Sequence, residues 1–259
     1  MSKSLTVMCA SALLLGSACG PPQGARGERT RASQPTAGSA STEASVGVGA
    51  LYWAGSDSNE VWLIYLDSGS GTIYRPIRSL ALCDVRGDST GAVTFRSAEM
   101  TDGTVYEFTG RASRDDLVGT LGRVSTRSGA VVKTSALAAR QIRTRYPVGG
   151  ADPISGRYDG VRVSERSGDA YGLEVVVVDG VDSIVGLWVR YEGGALPARA
   201  LTANRVGDTL HLSWHSPERV GVDTVVIHGD TIKFRDRLRL VKRMSLFQVV
   251  HDPNRRECR

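Results

Sequence analysis

Short runs of Val, Ile, Leu, Tyr and Thr recur about every ten residues beyond residue 48, separated by Gly, Asp, Ser and Asn. The strongest runs are VWLIYL (61–66), AVTFRS (92–97), TVYEFTG (104–110), LVGTLGRV (117–124), GLEVVVV (172–178), IVGLWVRY (184–191), TLHLSW (209–214), DTVVIHG (223–229) and TIKFRDRLRL (231–240). Several, such as AVTFRS, TLHLSW and TIKFRDRLRL, alternate apolar and polar residues, the period of a strand with one wet face, and no run of comparable strength has helical period. The pattern predicts an all-β fold, an antiparallel meander forming two small β-barrel or β-sandwich units. RYPVGGADPISG (145–156), with two prolines and paired glycines, reads as a linker or long crossover. It divides a first unit, 48–146, from a second, 154–250, followed by a tail, 251–259. Two hairpins, 107–119 and 174–186, share Glu, Asp, Val and Gly at the same spacing (Glu107 with Glu174, Asp115 with Asp182, Val118 with Val185, Gly119 with Gly186), which raises a duplication as one explanation.

Two runs break the alternation. Val61 to Leu66 and Leu173 to Val178 are apolar on both faces, apart from Glu174 in the second, so something must cover each on its outer side. The economical arrangement leans the two units on each other through these strands, with Ile64 and Val177 as the positions where charge should loosen the junction. A ligand-filled cavity or an oligomer contact would give the same pattern.

The N-terminus has a different character. Lys3 precedes an apolar run from Leu5 to Leu15, too short to span a bilayer stably but suited to the core of an export signal. Gly16, Ser17, Ala18 and Cys19 follow, an arrangement that resembles the lipobox of bacterial lipoproteins, with Gly16 where that family prefers leucine. The resemblance implies that residues 1–18 are a cleaved signal peptide and that Cys19 becomes the first mature residue. It also implies diacylglycerol on the Cys19 thiol and a fatty acyl group, such as palmitate, on the new amine. Gly20, in place of the aspartate that retains such lipoproteins at the inner membrane, favours the outer membrane in a two-membrane cell. An ordinary secretory signal with the small residues Gly16 and Ala18 is the alternative, and it exports the protein as well. Residues 19–47 carry almost no large apolar side chain and read as a disordered tether.

Composition adds little to this picture. Export removes Cys9 and acylation uses Cys19, leaving Cys83 and Cys258 in an oxidising compartment, either bridged or as two unpaired thiols. The net charge of +5 permits contact with an anionic surface, while export makes nucleic acid an unsuited partner. In KFRDRLRL (233–240), Arg235, Arg237 and Arg239 share one face of the predicted strand, a row able to grip lipid phosphates or simply a solvated exterior. GDSTG (87–91) matches the G-x-S-x-G pattern around a serine nucleophile, but the run behind it is a strand rather than the required helix. HLSWH (211–215) spreads two histidines over about 13 Å of strand, too far for easy convergence on one metal. SGRYDG (155–160) resembles the opening G-x-W of lipocalins, with Tyr158 in place of tryptophan and Lys242 and Arg243 where a late basic residue packs on it. That resemblance implies an up-and-down barrel able to hold an apolar ligand. No motif in the chain points to a catalytic residue, metal site or cofactor, and an enzyme, the third possibility, would require a cleft gathering carboxylates or histidines from distant strands. The chain's expected role is binding: of an apolar or amphipathic ligand, or, alternatively, of an envelope protein as a scaffold.

Overall fold

The structure, a computed structural model, describes residues 49–55, 61–75, 78–216, 219–236, 238–252 and 254–258. The expected signal peptide, Cys19, the expected tether and Arg237 lie outside the described residues. Two closed, eight-stranded antiparallel barrels make up the fold and belong to one compact unit.

Barrel 1 runs in chain order through β1 (Ala50–Ala54), β2 (Trp62–Asp67), β3 (Ser70–Arg75), β4 (Arg78–Gly87), β5 (Ala92–Ser97), β6 (Thr104–Ala112), β7 (Asp116–Ser125) and β8 (Val131–Ile142). It closes where β1 meets β8, with Leu51 opposite Ile142, Tyr52 opposite Gln141 and Trp53 opposite Arg140. Barrel 2 uses β9 (Gly156–Asp159), its short continuation β10 (Arg162–Val163), β11 (Ala170–Asp179), β12 (Ile184–Gly193), β13 (Arg199–Val206), β14 (Thr209–Ser216), β15 (Arg219–His228), β16 (Thr231–Phe234) and β17 (Arg239–Ser245). Strand β9 closes it by pairing with both β11 and β17.

The alternation in the sequence decides what each barrel encloses. In β5, Val93, Phe95 and Ser97 point inward while Val93's neighbours Ala92 and Thr94 face water, as a period of two requires. Ile64, Leu66, Ile73, Phe95 and Phe108 are among the side chains filling barrel 1, with the rings of Phe95 and Phe108 stacked at 4.7 Å. Val175, Val177, Leu201, Leu210, Leu212, Val225, Ile232 and Leu240 do the same in barrel 2, each at 0% exposure, so none borders a void that would admit water. Tyr158, also fully buried, donates to the Ile154 carbonyl at 2.8 Å, and Lys242 lies over its ring at 5.5 Å. This is the aromatic and cation pairing expected from SGRYDG, at the seam where β9 meets β17.

A third apolar cluster lies between the barrels. Leu51, Val61, Leu63, Tyr65 and Tyr74 of barrel 1 pack with Val176, Val178, Val185, Leu187 and Ala200 of barrel 2. The two doubly apolar runs are thus covered on their outer faces by each other's barrel. Ile64 and Val177, expected at this junction, instead point into their own barrels; with a strand period of two, the junction takes their neighbours Leu63, Tyr65, Val176 and Val178. Gly186 lets β12 lie close against β11 within barrel 2, since a Cβ there would overlap the Val176 carbonyl oxygen, and its own carbonyl accepts from the Trp53 indole N–H of barrel 1 at 2.9 Å.

The C-terminus crosses back. Ser245 and Gln248 cap helix α1 (Leu246–Val250) reciprocally, and Leu246, Val249 and Val250 enter the junction. The tail then lies on barrel 1, where Thr72 donates to the Val250 carbonyl and Arg255 donates to Thr72. Arg256 pairs in parallel with Leu80, taking up the edge of β4 beyond the end of its pairing with β5. Cys83 and Cys258 are joined in a disulfide across 175 residues, a closure contributing at most about 5 kcal/mol on the chain-entropy account.

Two further expectations change. TIKFRDRLRL is not one strand: β16 ends at Phe234, and Asp236 accepts from the Leu238 amide in the turn that leads to β17. Asp236, an interruption in the apolar face, is the turn-former. The look-alike hairpins also occupy different places, the sixth and seventh strands of barrel 1 against β11 and β12, which follow β9 in barrel 2. Their shared residues reflect common hairpin chemistry rather than equivalent positions.

Candidate binding surface between the barrels

Where β1 ends, the outer faces of the two barrels splay apart and leave a cleft of about 610 Å³. Trp53, Gly55, Asp116, Val118, Ala138 and Arg140 form the wall from barrel 1; Ala200, Thr202 and His215 form the wall from barrel 2. Gly55 is required by packing, because a Cβ would meet the Trp53 ring at 2.2 Å. Small side chains keep the slot open, and the junction cluster makes its floor through Trp53 and Ala200. Asp116, Arg140 and His215 are exposed at the rim, and among the described residues their side chains make no hydrogen bond or ion pair. Asp116 and Arg140 sit opposite each other on β7 and β8, while His215 reaches in from the other barrel.

A buried polar cluster links the two barrels. Glu174, 1% exposed on the outer face of β11, accepts from the Tyr74 hydroxyl of barrel 1 at 2.9 Å, from the Tyr191 hydroxyl at 3.1 Å and from Arg157 at 2.9 Å. Arg157 also donates to Asp159 at 3.1 Å. Burial first, and the Glu174 charge second, hold the Tyr74 and Tyr191 phenols well above their ordinary range; burial does the same to Tyr158. An unfolded chain ionises these phenols near pH 10, whereas the folded protein keeps them neutral. Their stabilisation is therefore complete below about pH 10 and is lost as pH rises toward the folded values. Urea midpoints measured from pH 9 to 11 should fall steeply, and less steeply in Tyr74→Phe; equal slopes would count against the hydroxyl's role.

The sequence candidates are distributed as follows. His211, Ser213 and His215 share the outer face of β14, and among the described residues no group of three or more His, Cys, Asp or Glu converges as for a metal. GDSTG is the β4–β5 turn, with Asp88 accepting from the Thr90 amide, the Thr90 hydroxyl and the Ala92 amide. Arg235 sits in the turn after β16, while Arg239 opens β17 opposite Lys233 and donates to Thr231, so the expected guanidinium row is broken. The disulfide lines a second cleft of about 680 Å³ with Arg96, Glu99, Arg256 and Glu257.

Sequence reasoning missed the cleft itself, because β1 and β8, which frame it, carry weak strand signals. It also missed what lies beside the cleft. The outward positions of β13, β14 and β15 form four rows: Ala200–His215–Val220, Thr202–Ser213–Val222, Asn204–His211–Thr224 and Val206–Thr209–Val226. None of these is Asp, Glu, Lys or Arg, and Val206, Val220, Val222 and Val226 are exposed. Val118 stands on the facing wall of the cleft and Val220 and Val222 adjoin it through His215 and Ser213, while Val206 and Val226 lie at the far end of the face. No protein family model, no curated protein and no solved structure matches this chain.

Proposed function

We propose that this is an exported lipoprotein, anchored through Cys19, that acts by binding a protein partner of the cell envelope rather than by catalysis. The observation that carries the reading is where the apolar surface lies. Both barrel interiors are occupied by the chain's own side chains, while exposed valines lie on the outside, Val118 in the wall of the inter-barrel cleft and Val220 and Val222 beside it. A carrier needs the reverse, an empty apolar lumen under a polar exterior, and exposed apolar patches on soluble domains mark interaction surfaces. The lipobox-like sequence supports the anchor, with two or three acyl chains holding the protein far more firmly than one. The cleft, with its apolar floor and the unpaired Arg140 guanidinium, keeps an amphipathic anion as the second reading.

Two measurements test this. Cells fed a palmitate analogue should label the protein, and Cys19→Ala should remove the label and release the chain from membranes; an unlabelled, freely dissolved wild type ends the anchor. A fluorescent apolar probe titrated into the purified protein should show no saturable uptake competed by fatty acids. Saturable, competed uptake would replace the protein-binding role with a carrier's.

A further inference from the structure

We propose that residues 252–258 form a redox-latched strap: the Cys83–Cys258 bond, rather than the strap's own contacts, holds them on barrel 1, and thiol–disulfide exchange with an external dithiol frees them and bares part of the edge of β4. The inference goes beyond the binding reading above and depends on neither the anchor nor the cleft between the barrels.

The sequence of the strap is the first reason. DPNRREC contains no Val, Ile, Leu, Met or aromatic residue, whereas the helix before it gives Leu246, Val249 and Val250 to the junction cluster. Apolar burial therefore fixes the chain as far as Val250 and stops there. Beyond that point, among the described residues, the strap meets barrel 1 through hydrogen bonds besides the disulfide. Arg255 donates to the Thr72 hydroxyl at 2.8 Å and the Arg256 guanidinium to the Glu99 carbonyl at 2.8 Å. The Arg256 amide donates to the Ser79 carbonyl at 3.2 Å, and its carbonyl accepts from the Ala81 amide at 2.9 Å.

These bonds are fewer than the residues they order. A hydrogen bond returns, net of the water it displaces, no more than about what it costs to fix the backbone of one residue, so they do not hold the strap down alone. The disulfide makes up the difference. With one end pinned by α1 in the junction and the other by Cys258, the strap has little conformational freedom left to lose; breaking the bond restores that freedom.

The bond is also open to attack. Cys258 is exposed and Cys83 half-buried, and both line the cleft of about 680 Å³. One thiolate of a dithiol attacks the Cys258 sulfur, the Cys83–Cys258 bond breaks, and its electron pair leaves with the Cys83 sulfur, which takes up a proton. The reagent's second thiolate then displaces Cys258 from the mixed disulfide, and the Cys258 sulfur is protonated in turn. The protein is reduced by two electrons to two thiols, and the dithiol is oxidised to its disulfide.

Release has a defined extent. The strap occupies the edge of β4 beyond the end of its pairing with β5. Once it leaves, the Ala81 N–H and the Ser79 carbonyl lose the Arg256 backbone and become an unpaired stretch of strand edge, of the kind that native sheets keep covered. The opening ends at α1, whose apolar side chains stay in the junction, so the two barrels remain packed together.

The test uses the full-length folded protein with and without dithiothreitol. Alkylation and peptide mapping should find Cys83 and Cys258 blocked before treatment and both labelled after it. Brief trypsin digestion is scored after denaturation and full reduction, so that fragments still joined by the bond are counted. Cleavage after Arg255 or Arg256 should be at least about tenfold faster in the treated protein, because it follows the population of the open form. Cys258→Ser should be cut at that fast rate with or without the dithiol. The treated wild type carries the same test with no substitution. Amide exchange should quicken at Ala81 and at residues 254–258 and keep its untreated rate at Val249, Val250 and through β11. Any of three results overturns the proposal. The dithiol may leave the bond intact in folded protein; the freed strap, in treated wild type or in Cys258→Ser, may be cut as slowly as in the oxidised wild type; or exchange may quicken through the junction as much as in the strap, which would make the bond a brace of the whole fold rather than a latch.

Discussion

Glu174→Leu should lower the free energy of unfolding by about 3–5 kcal/mol, the range for breaking a buried ion pair by removing one partner. The substitution leaves Arg157 with Asp159 alone and strips the Tyr74 and Tyr191 hydroxyls of the acceptor that each uses. Both hydroxyls stay buried, so neither regains water. Combining Glu174→Leu with Arg157→Met, Tyr74→Phe and Tyr191→Phe should cost less than the single changes summed, because no polar group is then orphaned. Urea denaturation measures both. A wild-type midpoint in Glu174→Leu would show that the cluster contributes nothing to stability.

Leu187→Ala, inside the junction at 0% exposure, should cost about 2–5 kcal/mol, as large-to-small changes in packed cores do. Leu201→Ala, equally buried but inside barrel 2, is the comparison. The two should differ in where protection is lost. Hydrogen exchange in Leu187→Ala should quicken in β2 and β3 as well as in β11 and β12, because Leu187 belongs to a cluster fed by both barrels. In Leu201→Ala the loss should centre on barrel 2. If β2 and β3 keep full protection in Leu187→Ala, the barrels are independent and the junction is only a contact.

Much of the fold was legible because strand formation is written locally. AVTFRS alternates, and its inward set is Val93, Phe95 and Ser97. The doubly apolar VWLIYL and LEVVVV announced a second covered face, and each supplies the junction. Tyr158 and Lys242 stack as the resemblance of SGRYDG to the lipocalin opening implied. Elsewhere local signals misled. Asp236 looked like an exception within a strand, although a short polar residue between apolar ones is also how a turn is written. In a run that is apolar throughout, nothing local says which parity faces which core, so Ile64 was indistinguishable from Leu63.

The binding surface was less legible still. TLHLSW and DTVVIHG were recognised as strands, yet the uncharged face exists only because β13, β14 and β15 lie side by side in a fixed register. Valines that are ordinary residues of their own strands become a patch by adjacency. Likewise Asp116, Arg140 and His215 are separated by up to a hundred residues of sequence and meet only where two barrels diverge.

The sequence by itself determined the strand content and the polar linker between the two strand-rich stretches near residue 150, since each depends on residues close in the chain. Tertiary structure alone decided that the sheets close, that the barrels are filled, which side of each apolar strand meets its neighbour, and where uncharged surface accumulates. Those outcomes arise from registers between distant strands, and a register shift of one residue would exchange inside for outside without altering a single local preference.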